Sequence, residues 1–132
     1  IAGAYGMAAS IDYLNEIGFD TLEKHDREMG QFMLDLASQR DYVEVINGDK
    51  DADRGAVISL KIPTMPKLDD VARVLSDSYA IMCRNGHLCA QPYVSNQAAS
   101  QVLRVSAYIY TTEEDIERFF SALDEISTFM FG

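Results

Sequence analysis

The sequence predicts one α+β domain of two layers, in which helices pack on one face of a small, mostly antiparallel sheet. Apolar residues recur at helical spacing near both ends of the chain, whereas short segments between them alternate or run apolar as strands do. The 132 residues, 48% of them hydrophobic, suffice for one compact core and are too few to expect two. The predicted order of elements is ααββαββα.

Two helices are predicted at the start of the chain, with a turn at Gly18 between them. The second is expected to begin near Asp20, because Asp20 and Glu23 have the spacing of a capping box. The apolar face of the first helix is Ile1, Ala4, Ala8, Ile11 and Leu14. That of the second is Leu22, Met29, Phe32, Met33 and Leu36.

Strand patterns follow after Arg40. "YVEVI" (42–46) and "AVISLKI" (56–62) predict an antiparallel pair joined by the polar loop "NGDKDADRG" (47–55). The short apolar run "AIMC" (80–83) predicts a buried strand. A third helix before that run has the apolar stripe Leu68, Val71, Leu75 and Tyr79.

The segment "QVLRVSAY" (101–108) alternates, which predicts a strand with two different faces. Thr112 is expected to cap a final helix. The stripe of that helix is Ile116, Phe119, Phe120, Leu123, Ile126 and Met130. The sheet side chains expected under the helices are Ile58, Leu60, Ile62, Leu103, Val105 and Ala107. Those expected on the open face are Ser59, Lys61, Arg104 and Ser106, and an arginine there needs an anion if that face is covered.

Composition and charge exclude several classes of function. A net charge of -10 without a basic stripe argues against nucleic acid, and no apolar run is long enough to cross a bilayer. Two cysteines can form at most one disulfide, so we expect reduced thiols and a cytoplasmic protein. Because the chain opens at Ile1 already in a helical pattern, we expect it to be a piece of a longer protein.

The stretch "CRNGHLCAQP" (83–92) carries both cysteines of the chain. Asn85 and Gly86 predict a tight turn there. Arg84 and His87 place Cys89 in electropositive surroundings, which favour the thiolate and hence a nucleophile. His87 is a candidate to position the loop or to act as acid or base, whereas Cys83 is expected to be a small buried hydrophobe.

"RNGHLCAQP" (84–92) is similar to the RxGHHCAxP loop of SufS-type cysteine desulfurases, with Leu88 in place of the second histidine. These enzymes belong to the class V, fold type I group of pyridoxal phosphate enzymes. "AASIDYLNEIGFD" (8–20) resembles the helix that opens their small C-terminal domain. "LRVSAYIYTTEEDIERFFSAL" (103–123) resembles its closing strand and helix, so residues 1–132 are expected to form that domain.

The resemblance implies roles for three residues. The cysteine that matches Cys89 takes sulfur from cysteine as a persulfide, and the arginine that matches Arg104 binds the substrate carboxylate. Arg84 matches an arginine that lines the site. No residue of this chain matches the family's cofactor-binding set, and none of Lys24, Lys50, Lys61 and Lys67 lies in the context of its Schiff-base lysine.

The implied cofactor is pyridoxal 5'-phosphate, bound by a large domain that these residues do not include, so the isolated chain is expected to be inactive. The implied partners are cysteine, a sulfur-acceptor protein, the large domain and a second copy in a homodimer. A role in iron–sulfur cluster assembly would follow.

Other functions remain open from the residues. The parent could be a selenocysteine lyase or another class V aminotransferase, which would change the amino acid substrate. The chain could instead be a non-catalytic interaction module with a structural thiol. A redox or metal-binding domain would use Cys83, His87 and Cys89, which supply only three ligands at spacings unlike those of structural zinc sites.

Overall fold

A computed structural model describes residues 1–49, 54–65, 67–97 and 99–131. Part of the predicted polar loop, residues 50–53, therefore lies outside the described residues. The helices are α1 (Ala2–Ile17), α2 (Phe19–Ser38), α3 (Leu68–Tyr79), α4 (Gln91–Asn96) and α5 (Glu113–Phe131). The strands are β1 (Glu44–Val45), β2 (Val57–Lys61), β3 (Arg84–Gly86) and β4 (Val102–Ser106).

The four strands form one sheet in the order β1-β2-β4-β3, and every neighbouring pair is antiparallel. Ile58 pairs with Val105 and Leu60 with Leu103. Helices α2, α3 and α5 contact one another or the sheet around a single hydrophobic core. The predicted fold class is confirmed.

The two faces of the sheet differ as the alternation predicted. Leu60 and Leu103 are fully buried under the helices, and Ile58 is nearly so. Arg104, on the opposite face, is exposed, and Ser59 beside it is half-buried. The open face is therefore where β2, β3 and β4 present polar side chains.

Helix α1 has no buried residue. Its predicted apolar face is exposed except at Leu14, and Ile11 retains 47% of its accessible surface. The helix contacts α2, but nothing in the described part of the chain covers that face. The apolar spacing therefore predicted α1 correctly, but the prediction that its apolar face is buried is wrong.

The run "AIMC" is not a strand. Ala80 ends α3 in the left-handed conformation (φ 55°), and the N–H of Ile81 still bonds to the carbonyl of Leu75 at 2.9 Å. Met82 is 88% exposed. Strand β3 begins only at Arg84, because the chain needs residues 80–83 to leave the helix and reach the edge of the sheet.

The observed ends of α2 and α5 agree with the sequence predictions only in part. Gly18 ends α1 and begins α2, so α2 starts at Phe19 without a side-chain cap, and the predicted Asp20 capping box is wrong. Thr112 does cap α5, because its hydroxyl accepts the N–H of Asp115 at 3.2 Å. Met130 is 45% exposed and does not belong to the buried stripe of α5.

Candidate functional site

Two arginines lie side by side on the open face of the sheet. Arg84 of β3 pairs directly with Arg104 of β4, and Ser59 of β2 pairs with Arg104 on its other side. Paired residues of antiparallel strands point to the same face, so the three side chains form one row. Both arginines are exposed, and among the described residues neither has a carboxylate partner. Two like charges placed opposite each other favour binding of an anion between or above them.

Cys89 lies in a tight turn that follows β3. The carbonyl of His87 accepts the N–H of Ala90 at 2.8 Å. Leu88 and Cys89, the two central residues, have φ values of 54° and 61°, as in a type I′ turn. Each such non-glycine residue costs about 1 kcal/mol or more, so the sequence holds this shape against a backbone preference.

The turn does not lie where the sequence predicted it. Asn85 and Gly86 belong to β3. Gly86 has a φ of 101°, which residues other than glycine rarely adopt. The reversal comes at residues 87–90 instead. Helix α4 then begins at Gln91, so Cys89 is exposed between a strand and a short helix.

The two cysteines have different surroundings. Cys83 is partly buried and packs against the hydrophobic core, and burial raises its pKa to about 11. Cys89 is exposed. Both thiols are free. His87, the first residue of the turn, is half-buried.

Alkylation is expected to distinguish these thiols. At neutral pH the raised pKa of Cys83 leaves about a hundredfold less thiolate than an unshifted thiol would have. We therefore expect Cys89 to react with iodoacetamide at least about tenfold faster than Cys83. Peptide mass spectrometry after timed labelling measures both rates. Equal rates, or faster labelling of Cys83, would contradict the assignment of Cys89 as the accessible thiol.

Helix α4 was not predicted, and it brings a further side chain to the open face. The hydroxyl of Tyr93 accepts a hydrogen bond from the side-chain amide of Asn47 at 2.5 Å. Together with Ser59 and Arg54, these residues line a cavity of about 590 Å³. Pro92 in the first turn of α4 is the signal that could have indicated this helix.

The described residues do not fit a pyridoxal phosphate site. Lys61 lies on the open face but pairs with Glu44 at 2.6 Å, toward the edge of the sheet away from β3. Lys24 pairs with Glu28 on α2, and Lys67 precedes α3. Lys50 lies outside the described residues. No group of three or more His, Cys, Asp or Glu side chains is placed to hold a metal in the described ranges.

Comparison with known proteins agrees with this fold. The family model for class V aminotransferases matches residues 1–119. The chain belongs to the class V aminotransferase family. Its fold is that of solved cysteine desulfurases: the apo structure of the enzyme from Thermococcus onnurineus NA1 superposes with a TM-score of 0.83 at 28% identity, over 97% of this chain and 31% of that one. The S-sulfonic acid form of CsdA from Escherichia coli gives a TM-score of 0.84, with the same coverage, but only 20% identity, which supports the fold alone.

Curated relatives of this class V chain include probable cysteine desulfurases. The protein from Halalkalibacterium halodurans is 38% identical over 125 residues, which are 95% of this chain and 30% of the relative. That from Staphylococcus aureus (strain Mu50) is 34% identical over 129 residues, 98% of this chain and 30% of the relative. The chain thus spans about 30% of the length of these relatives. No helix in the described ranges combines the length and apolarity needed to span a membrane.

Proposed function

We propose that this chain is the small C-terminal domain of a pyridoxal phosphate-dependent cysteine desulfurase. Cys89 takes the sulfur of cysteine as a persulfide, and Arg104 binds the substrate carboxylate. The observation that carries the proposal is the exposed thiol on a turn leading directly from the strand that pairs Arg84 with Arg104. Its relatives' names, probable cysteine desulfurases, support the choice of substrate.

The position of Arg104 supports its proposed role in binding a carboxylate. Its guanidinium stands on a strand in the interior of the sheet, which fixes the base of the side chain. A planar guanidinium can hold a carboxylate through two parallel hydrogen bonds, which orients the ligand as well as binding it. Arg84, directly opposite, adds a second positive charge and increases the affinity for an anionic amino acid carboxylate.

The exposed turn suits Cys89 for sulfur transfer. Its thiolate forms a bond to the substrate sulfur while the bond between that sulfur and the substrate β-carbon breaks. The electron pair of the broken bond stays with the carbon, which takes a proton to yield alanine. Cys89 is left as a persulfide, and its exposure allows a thiol of an acceptor protein to remove the outer sulfur.

Pyridoxal phosphate, when bound, supplies the electron sink for this chemistry, and we propose that a large domain outside these residues holds it. The other proposed partners are cysteine, a sulfur-acceptor protein and a second copy of the full-length protein. We propose a cytoplasmic site and a role in iron–sulfur cluster assembly on the same basis.

The isolated chain is expected to hold no cofactor and to have no turnover. Of its described lysines, Lys24 and Lys61 pair with glutamates and Lys67 is exposed just before α3, and none lies in the sequence context of the family's Schiff-base lysine. The chain incubated with pyridoxal phosphate, treated with borohydride and dialysed should show no mass increase on a specific lysine. The full-length protein treated in the same way is the positive control. A stoichiometric adduct on one lysine of the isolated chain would overturn this division between domains.

A further inference from the structure

One carboxylate of α3 connects the two strands that carry the arginines. Asp69 accepts a hydrogen bond from the side-chain amide of Asn85 at Oδ1 and another from the amide of Gln101 at Oδ2, the latter at 3.0 Å. Asn85 is the middle residue of β3, and Gln101 immediately precedes β4. One carboxylate oxygen of Asp69 therefore bonds to β3, and the other bonds to the residue just before β4.

The register explains why Asn85 faces α3. Asn85 pairs with Leu103, which is fully buried under the helices. Alternation along β3 then sends Arg84 and Gly86 to the open face. On this three-residue strand, the side chain of Asn85 therefore contacts Asp69, and that of Arg84 lies on the face of the proposed site.

Strand β3 is a short edge strand. It is three residues long, and among the described strands it pairs only with β4. Hydrogen bonds to an ionised carboxylate are stronger than those between neutral groups. The amides of Gln101 and Asn85 lower the pKa of Asp69, so its acceptor form persists at neutral pH.

We propose that Asp69 is a positioning residue that fixes β3 and the start of β4 against α3, and through them Arg84 and the Cys89 turn. The inference rests on the proposed function for its effect on turnover. Its effect on the exposed thiol of Cys89 is independent of turnover. We call the two hydrogen bonds from Asn85 and Gln101 to Asp69 the clamp. Loss of the clamp lets β3 shift, and a displacement of about 1 Å at a reacting group can lower a rate by about a hundredfold.

Asp70 provides the matched control. It is the next residue in the same first turn of α3, and it pairs with Arg73 of its own helix at 2.5 Å. Asp70→Ala removes the same charge from the same helix turn, and in the described part of the chain Asp70 makes no hydrogen bond to either strand. A role confined to the stability of α3 would therefore affect Asp69→Ala and Asp70→Ala alike.

The test uses the full-length protein with cysteine as substrate. Asp69→Ala is expected to lower kcat/KM by about tenfold or more, whereas Asp70→Ala stays within about twofold of the unaltered protein. Asn85→Asp opposes two carboxylates and should reduce kcat/KM at least as much. Adding Asp69→Asn to Asn85→Asp restores a donor and an acceptor in reversed order, and we expect recovery to within about threefold.

The alkylation rate of Cys89, measured on the same proteins, separates this inference from the proposed function. We expect that rate to change in Asp69→Ala and Asn85→Asp, and to return in the double variant, even if the unaltered protein releases no alanine from cysteine. That combination would overturn the desulfurase proposal and support the clamp. Equal kcat/KM values and alkylation rates in Asp69→Ala and Asp70→Ala, or a double variant no better than Asn85→Asp, would overturn the clamp.

Discussion

Replacing Cys89 by serine in the full-length protein is expected to abolish sulfur transfer, with a loss of alanine formation from cysteine on the order of a thousandfold or more. Serine keeps the size of the side chain but supplies neither a thiolate nor an atom that can carry the sulfur as a persulfide. Because Cys89 is exposed, the free energy of unfolding should change little. Alanine release and thermal unfolding of the same sample measure both effects.

Cys83→Ser is the matched control for the loss of a thiol. Cys83 packs against the core, so a hydroxyl there is expected to cost about 1 kcal/mol of stability and to leave alanine formation nearly unchanged. If activity were instead lost in Cys83→Ser and kept in Cys89→Ser, the proposal would have assigned the sulfur chemistry to the wrong cysteine.

Arg104→Ala is expected to lower kcat/KM for cysteine by about a hundredfold or more, since it removes one partner of a charge-paired carboxylate. Arg104 is exposed in this chain, so the fold should tolerate the change. Steady-state kinetics over a wide range of cysteine concentrations give kcat and KM separately.

Two further variants identify the cause of that loss. Arg104→Lys keeps the charge without the planar pair of donors and should recover only part of kcat/KM. Arg73→Ala removes an exposed arginine of α3 that already pairs with Asp70, and should have little effect. An Arg104→Ala protein with unchanged kcat/KM would show that the substrate carboxylate binds elsewhere.

Strand β4 shows what alternation can predict. Burial of Leu103 against exposure of Arg104 is a local property of the pleat, so alternation was enough to assign these two residues to their faces, although it did not predict that Val102, on the same face as Arg104, is buried. The arginine was therefore assigned to the open face from sequence alone.

The region from Ala80 to Gly86 shows what a pattern cannot predict. Apolar character indicated a strand at 80–83, but strand position is decided by pairing: Arg84 meets Arg104 and Gly86 meets Val102. The left-handed Ala80 that directs the chain to this edge has no signal in residue type.

The candidate site was found by its motif, and its supporting geometry was not. The loop sequence indicated Cys89 and Arg84 as candidates, because a thiol and a guanidinium are the residue types that the proposed chemistry requires. The left-handed pair Leu88 and Cys89, and the contact from Asp69, depend on long-range packing. Two residues sixteen apart in sequence meet through an amide and a carboxylate, which no periodicity encodes.

The most direct test of the central claim is to locate the transferred sulfur. The full-length protein is given cysteine, alkylated and digested, and the peptides that contain Cys83 and Cys89 are weighed by mass spectrometry. We predict one additional sulfur atom on the Cys89 peptide. The amount of this peptide should be proportional to the alanine formed in the early phase, before removal of the sulfur by the acceptor limits turnover. Alanine formation with no sulfur on Cys89, or with the sulfur on Cys83, would contradict the proposal.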